Sequence, residues 1–165
     1  FDALDRLGRL WKSECSLNVK MRVFKACVQT VLLYGSETWS MTTTLSSRLD
    51  GCYTRMLRRV LNVPYGARIR NSKLYSDCGT PHVSTVVKRR RMEFAGHCFR
   101  CREDENYHPI SEVIFYSRSQ PFRIGQANRT TYLKTISSDS LLDLPTLANI
   151  ATDREAWKEL VDEIC

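Results

Sequence analysis

The chain has 165 residues, 42% of them hydrophobic and 26% charged, with a net charge of +7. That balance excludes wholesale disorder and fits one core of ordinary size, or a helical domain with a small appendage. It also excludes a membrane span: the longest apolar stretch, residues 28–34, already contains Gln29 and Thr30 and falls short of the roughly 20 residues a bilayer requires.

The charge is unevenly spread. From Ser138 to Cys165 seven acids stand against two bases, giving −5, so residues 1–137 carry 23 bases against 11 acids, or +12. Basic charge gathered in one part of a chain is the footprint of a polyanionic partner, although solvated helix faces give the same pattern. The seven cysteines are odd in number and widely scattered, which points to reduced thiols rather than a disulfide frame. The first residues lack the basic-then-apolar layout of a signal peptide, so a nuclear or cytoplasmic setting is expected.

In chain order, Leu4, Leu7, Leu10 and Trp11 recur at helical spacing and predict a short amphipathic helix. Ser16 is placed to cap a second helix. Its apolar positions Val19, Val23, Ala26, Cys27, Thr30, Val31 and Tyr34 predict the buried face, with Lys20, Arg22 and Lys25 opposite. A third helix begins in the Thr42, Thr43, Thr44 cluster and turns Leu45, Leu49, Cys52, Tyr53, Met56, Leu57, Val60 and Leu61 inward, until Asn62, Pro64 and Gly66 stop it. Cys27 and Cys52 read as small buried hydrophobes. Residues 67–81 read as a connector with one helical turn at 71–75. A fourth helix over 82–102 has Val83, Val87, Phe94 and Cys98 as its core stripe, with Val86 and Ala95 beside it. Residues 110–116 suit strand or helix, 118–129 a loop and 130–136 a renewed helix. The acidic end, from Leu144 and Pro145 and more firmly from Asp153, finishes in an amphipathic helix carrying Trp157, Leu160, Val161 and Ile164. The fold class expected is mainly α: a helical bundle with a less regular C-terminal extension that ends in an amphipathic helix. It divides at 1–66, 67–109 and 110–165.

Two sets of cations stand out. Lys88, Arg89, Arg90, Arg91, Arg100 and Arg102 share their helix with Glu93 alone. Four consecutive cations span a full turn, so at least two must face solvent or a ligand. Arg55, Arg58 and Arg59, followed by Arg68 and Arg70, form the second set. If the two helices pack antiparallel around the connector, both sets line one surface suited to phosphates, because the planar guanidinium bonds two oxygens at once. A sorting signal is the competing reading of 88–91. Cys98 and Cys101, with His97, His108, Cys78 or His82, invite a zinc reading, but the helical pattern buries Cys98 and no second Cys-x-x-Cys exists. Gly96 marks a close helix approach. His97, Phe94, Tyr34 and Trp39 read as scaffold residues. No grouping for nucleophilic or paired-carboxylate catalysis stands out.

Several phrases then fall in a telling order: Phe1 to Leu7 with Leu10 and Trp11; Leu33-Tyr34-Gly35-Ser36-Glu37-Thr38-Trp39; Leu49 to Arg59; Arg91-Met92-Glu93-Phe94-Ala95-Gly96-His97-Cys98; and Asp153-Arg154 with Trp157. Across nearly the whole chain they resemble the region that follows the polymerase domain in endonuclease/reverse-transcriptase proteins of RTE/BovB-like non-LTR (LINE-type) retrotransposons. The resemblance implies a thumb-like helical region over 1–66, a connector and basic helix over 67–109, and a C-terminal extension beyond. It also implies that the fingers, palm and endonuclease lie before Phe1. No Tyr-x-Asp-Asp or Phe-x-Asp-Asp pair is present, so no catalytic residue is carried over, and the magnesium a parent polymerase needs has no site here.

The expected function is therefore a post-palm fragment that grips template–primer RNA/DNA or element RNA through phosphates, within a nuclear or cytoplasmic ribonucleoprotein. Contact is assigned to Arg55, Arg58, Arg59, Lys88, Arg89, Arg90, Arg91, Arg100 and Arg102. The alternative is a non-catalytic protein-interaction module, a degenerate retroelement remnant whose acidic end docks on a basic partner or on its own basic helices.

Overall fold

A computed structural model describes residues 2–39, 41–64, 66–101 and 132–165. The molecule is mainly helical, with no strand among the described residues. It forms two compact units, Phe1–Tyr34 with Thr42–Val86 and Gly35–Met41 with Val87–Cys165, and the boundary runs through one helix. Residues 102–131, including the predicted segments 110–116 and 118–129, lie outside the described residues.

The first unit begins with two short helices, α1 (Asp2–Arg6) and α2 (Gly8–Lys12), where the sequence predicts one. They bury Leu4 and Trp11, and the Trp11 indole N–H donates to the Leu4 carbonyl at 2.8 Å across the break. α3 (Leu17–Phe24) runs into a π turn (Lys25–Gln29) and then α4 (Thr30–Leu32). In the π turn the Thr30 N–H reaches back to the Lys25 carbonyl, and the Thr30 hydroxyl donates to the Lys25 and Ala26 carbonyls that the wide turn loosens.

The face of this helix that packs inward is not the predicted one. The buried face is Met21, Phe24, Val28 and Leu33, whereas Val19, Ala26, Cys27, Val31 and Tyr34 of the predicted stripe are exposed. Both faces are apolar enough to compete, and the one carrying Phe24 and Met21 buries the larger side chains. Cys27 is accordingly an exposed thiol.

α5 (Thr43–Val60) starts at Thr42, whose hydroxyl oxygen accepts the Leu45 N–H at 3.2 Å, so the predicted capping cluster is where the helix begins. α6 (Asn71–Cys78) is a full eight residues where one turn was expected, and it buries Leu74, Tyr75 and Cys78. Gly79 ends it at φ 54, a left-handed position that favours glycine. α3, α5 and α6 pack on one another. At their centre Tyr53 lies 5.4 Å from Phe24, ring to ring, and donates to the Gln29 side chain at 2.8 Å. Desolvation raises the Tyr53 phenol above its usual range, so it stays a neutral donor. Asp50, from α5, accepts the Ser84 N–H at 3.0 Å and the Ser84 hydroxyl at 2.7 Å, capping the first turn of α7 (Val83–Cys101) from 34 residues away.

The second unit sets α7, from Val87 on, against α8 (Tyr132–Ser140), α9 (Leu144–Thr152) and α10 (Arg154–Ile164). Met92, Ala95, Ile136, Leu147, Ala151, Trp157 and Val161 form its core. Pro145 stands in the first turn of α9, and Asp153 caps α10 by accepting the Glu155 N–H at 2.9 Å, as its place in the sequence predicts. Met92 and Ala95 occupy the centre of the α7 stripe, and Phe94 is only half-buried. Gly96 faces the Trp157 ring directly, with the indole N–H donating to the Met92 carbonyl at 3.0 Å.

Candidate nucleic-acid interface

The first cation set belongs to the first unit. Arg55, Arg58 and Arg59 are spaced i, i+3 and i+4 along α5, which puts them on one side of the helix. Just beyond them the helix closes in a Schellman motif: the Val63 N–H bonds the Arg58 carbonyl at 2.9 Å and the Asn62 N–H the Arg59 carbonyl at 3.1 Å. Asn62 takes φ 50, and asparagine is among the few residues that tolerate that left-handed position. Pro64 follows, as it commonly does after such an ending. Together with Lys12 from α2, these residues line a groove of about 620 Å³ whose walls are Lys12, Arg55, Arg58, Arg59, Asn62, Val63 and Pro64.

Two of the four cations are oriented by neighbours. Arg58 donates through Nη2 to the Ile69 carbonyl at 2.6 Å and to the Asn71 side chain at 2.9 Å, which holds its guanidinium across the groove. Arg59 is paired with Asp5, both half-exposed. Lys12 and Arg55 are exposed and have no acid partner among the described residues. Even with Asp5 set against Arg59, the remaining three positive charges outweigh the roughly half negative charge of the α5 C-terminus. Lys12 was not foreseen: nothing in the sequence connects it to residues more than forty positions later.

The second set is differently placed. Arg91 is a correction, because it is 3% exposed and committed inside the second unit. Its Nη1 donates to the Trp39 carbonyl at 3.0 Å, and its Nε lies 3.0 Å from Asp139 Oδ2 of α8. That second contact is between charges rather than along an aligned N–H, so both atoms stay buried without a directed hydrogen bond. Desolvation by burial raises the Asp139 carboxyl, and Arg91 offsets this only in part. Arg89 bonds Asp162 of α10 at 2.6 Å, which holds its guanidinium charge all the more firmly. Arg100 donates to the Ala151 carbonyl at 3.0 Å, covering an open carbonyl at the C-terminal turn of α9. Lys88 is half-buried with Asp139 in its field, and Arg90 is half-buried and not free. Arg102 lies outside the described residues.

Of the scaffold residues, Trp39 is half-buried. Tyr34 is 87% exposed and His97 is exposed, so neither supports the core. His97 sits on the outer face of α7, and Tyr34 in the turn after α4. Cys98 and Cys101 do not converge either: Cys98 is buried, while Cys101 lies 3.6 Å from the His97 ring on the outer face. His82 stacks on Tyr75 at 4.1 Å and sits beside Asp50. Among the described residues no group of three or more His, Cys, Asp or Glu is placed to hold a metal ion. Desolvation pushes the Cys98 thiol up to about 11. The exposed Cys15 and Cys27 should therefore react with iodoacetamide at neutral pH in the folded protein, and Cys98 only after unfolding. Mass spectrometry of the labelled peptides reads this directly, and early labelling of Cys98 would refute its burial.

No described helix is long and apolar enough to cross a membrane. No family model matches the chain, and neither a curated protein nor a solved structure does.

Proposed function

We propose that this chain is a non-catalytic nucleic-acid-gripping module, the post-palm, thumb-like part of a non-LTR retrotransposon reverse transcriptase whose intact parent would be an RNA-directed DNA polymerase. The observation that supports this reading best is the groove of the first unit, where four cations from α2 and α5 surround about 620 Å³ of open space. Guanidinium and ammonium groups facing a concave surface attract phosphodiester oxygens without reading bases, so binding is sequence-independent and falls steeply with salt. The partners are RNA and DNA as template–primer or element RNA, together with the upstream fingers, palm and endonuclease of the parent. The grip falls first to the exposed Lys12 and Arg55, with Arg58 and Arg59 beside them in the groove although each also has a partner in its own unit.

Filter binding with duplex, RNA–DNA hybrid and single-stranded probes over a range of salt tests this. Each lost phosphate contact lowers the slope of log K against log salt by about 0.9 on a duplex and about 0.7 on a single strand. The pair Lys12→Ala and Arg55→Ala is thus expected to flatten the slope by nearly two on duplex, with no loss of helicity by circular dichroism. Arg89→Ala leaves the slope unchanged. Binding that ignores both salt and the groove substitutions would overturn the reading.

A second reading, a protein-interaction module, is favoured by one specific feature. The acidic C-terminal helices satisfy cations of their own α7 through Asp162 and Asp139, so the basic run serves the fold. Filter binding separates the two, since a module of that kind retains no probe at any salt.

A further inference from the structure

α3, the π turn and α4 form a rod with two apolar faces. The inner face carries Met21, Phe24, Val28 and Leu33. The outer face carries Val19, Val23, Ala26, Cys27, Val31 and Tyr34; Val23 is half-buried, and the other five are exposed, Val31 by 68% and Tyr34 by 87%. The inner face is covered by its own unit, and the outer one leaves apolar area open to a partner.

The π turn is what makes the outer set a stripe. At about 100° per residue, Val31 would stand about 120° round an unbroken α-helix from Val19. The π turn takes one extra residue, which turns everything after it back by about 100°. Val31 thereby comes within about 20° of the Val19 line, and the exposed Tyr34 follows in the turn just after α4. The result is an apolar ridge about 17 Å long from Val19 to Val31, with Tyr34 at its end.

The charged residues beside it are all basic. From Leu17 to Leu32 the rod carries Lys20, Arg22 and Lys25 and no acid. Lys20 is tied to the Trp11 carbonyl at 2.9 Å. Arg22, about 60° from Val19, and Lys25 beyond it are exposed, with no acid partner among the described residues. A second copy of the same ridge would set cations against cations and supply no acid, so self-pairing is opposed by charge.

We propose that this ridge is a docking surface for an amphipathic helix of a partner protein, one whose apolar stripe is flanked by aspartates and glutamates. The apolar stripe supplies the buried area, and Arg22 and Lys25 select the sign of the partner's flanks.

The test uses the whole chain and two designed helical peptides of about 14 residues, four turns. Both carry one leucine stripe, flanked by glutamates in the first and by lysines in the second, and binding is followed by fluorescence anisotropy. The acidic peptide should bind, and its affinity should fall at least tenfold with Val31→Ser/Tyr34→Ser and severalfold with Arg22→Gln/Lys25→Gln. The basic peptide should not bind. Equal binding of both peptides, binding of neither, or binding untouched by the ridge substitutions overturns the proposal. So does a concentration-dependent dimer in analytical ultracentrifugation that Val31→Ser/Tyr34→Ser abolishes, since the occupant is then a second copy. A large fall in melting temperature in Val31→Ser/Tyr34→Ser overturns it too, because the ridge would then be covered within the chain. These readouts are independent of the phosphate groove, whose failure would appear only with nucleic-acid probes.

Discussion

Gly96→Ala is expected to destabilise the second unit by about 3 kcal/mol or more, a cost at the upper end for overpacking in a core. A Cβ at this position would stand 2.6 Å from Trp157 Cε2 and 2.7 Å from Cδ1, distances no packed carbon adopts. The indole cannot slide away cheaply. It is buried, its N–H is bonded to the Met92 carbonyl one turn earlier on α7, and its other edge meets Phe99 at 6.0 Å between ring centres. Any retreat of the ring leaves a buried donor unpaired or opens a cavity beside Leu147 and Val161. Thermal unfolding followed by near-ultraviolet circular dichroism, which reports the packing of aromatic side chains, measures the loss. In a double-mutant cycle, Trp157→Leu, costly by itself, should add little on top of Gly96→Ala, because removing the indole also removes the clash. A mutant that melts within a degree or two of the parent would show that the close approach is not needed.

Arg91→Ala is expected to cost about 3 kcal/mol at neutral pH, the usual price of stranding one partner of a buried ion pair. The substitution removes the charge opposite Asp139 and the donor to the Trp39 carbonyl, and it empties the space of a side chain that is 3% exposed. Tyr132 itself, its phenol raised by desolvation, donates to the Glu37 carbonyl at 2.9 Å, so the segment around Trp39 is held from two sides. The pH dependence has a definite sign. Burial raises the folded-state pKa of Asp139 above the unfolded value of about 3.9, so the folded state binds more protons in that window and stability falls as pH rises through it. Arg91 is the chief influence lowering that pKa. Without it the window extends further upward, and the deficit of Arg91→Ala should grow between about pH 4 and pH 7. Arg91→Met/Asp139→Leu, which removes both charges, should recover most of the loss. Melting temperatures of the three proteins at the two pH values decide the matter; a deficit that is flat with pH would mean the pair carries no net electrostatic weight.

Much of the local architecture was legible in the residues. Period and punctuation predicted α5, α7 and α10, because a cap such as Thr42 or Asp153 and a stop such as Asn62 with Pro64 act within a few residues of where they stand. The glycine at 96 was readable as a close approach for a similar reason: a bare Cα in a helix otherwise rich in larger side chains leaves room for a neighbour. Composition likewise separated a basic body from an acidic end.

Which side chain meets which was not legible. α3 offers two apolar faces, and only packing against α5 and α6 selected the one with Phe24, leaving Val31 and Tyr34 outside. The π turn that brings Val31 onto the line of Val19 is a backbone response with no fixed residue signature. The cation run of α7 looks identical on paper whether it meets phosphates or carboxylates. Asp139 and Asp162, 48 and 73 positions away from the arginines they pair with, were brought to it by the burial of Trp157, Ile136 and Val161. Lys12 joined Arg55 in the same way, through the seating of Trp11 in its own unit. Helices follow from interactions a few residues apart, which a sequence displays. Faces, pairs and grooves follow from contacts between distant segments, which exist only once the apolar surface of the whole chain has been buried.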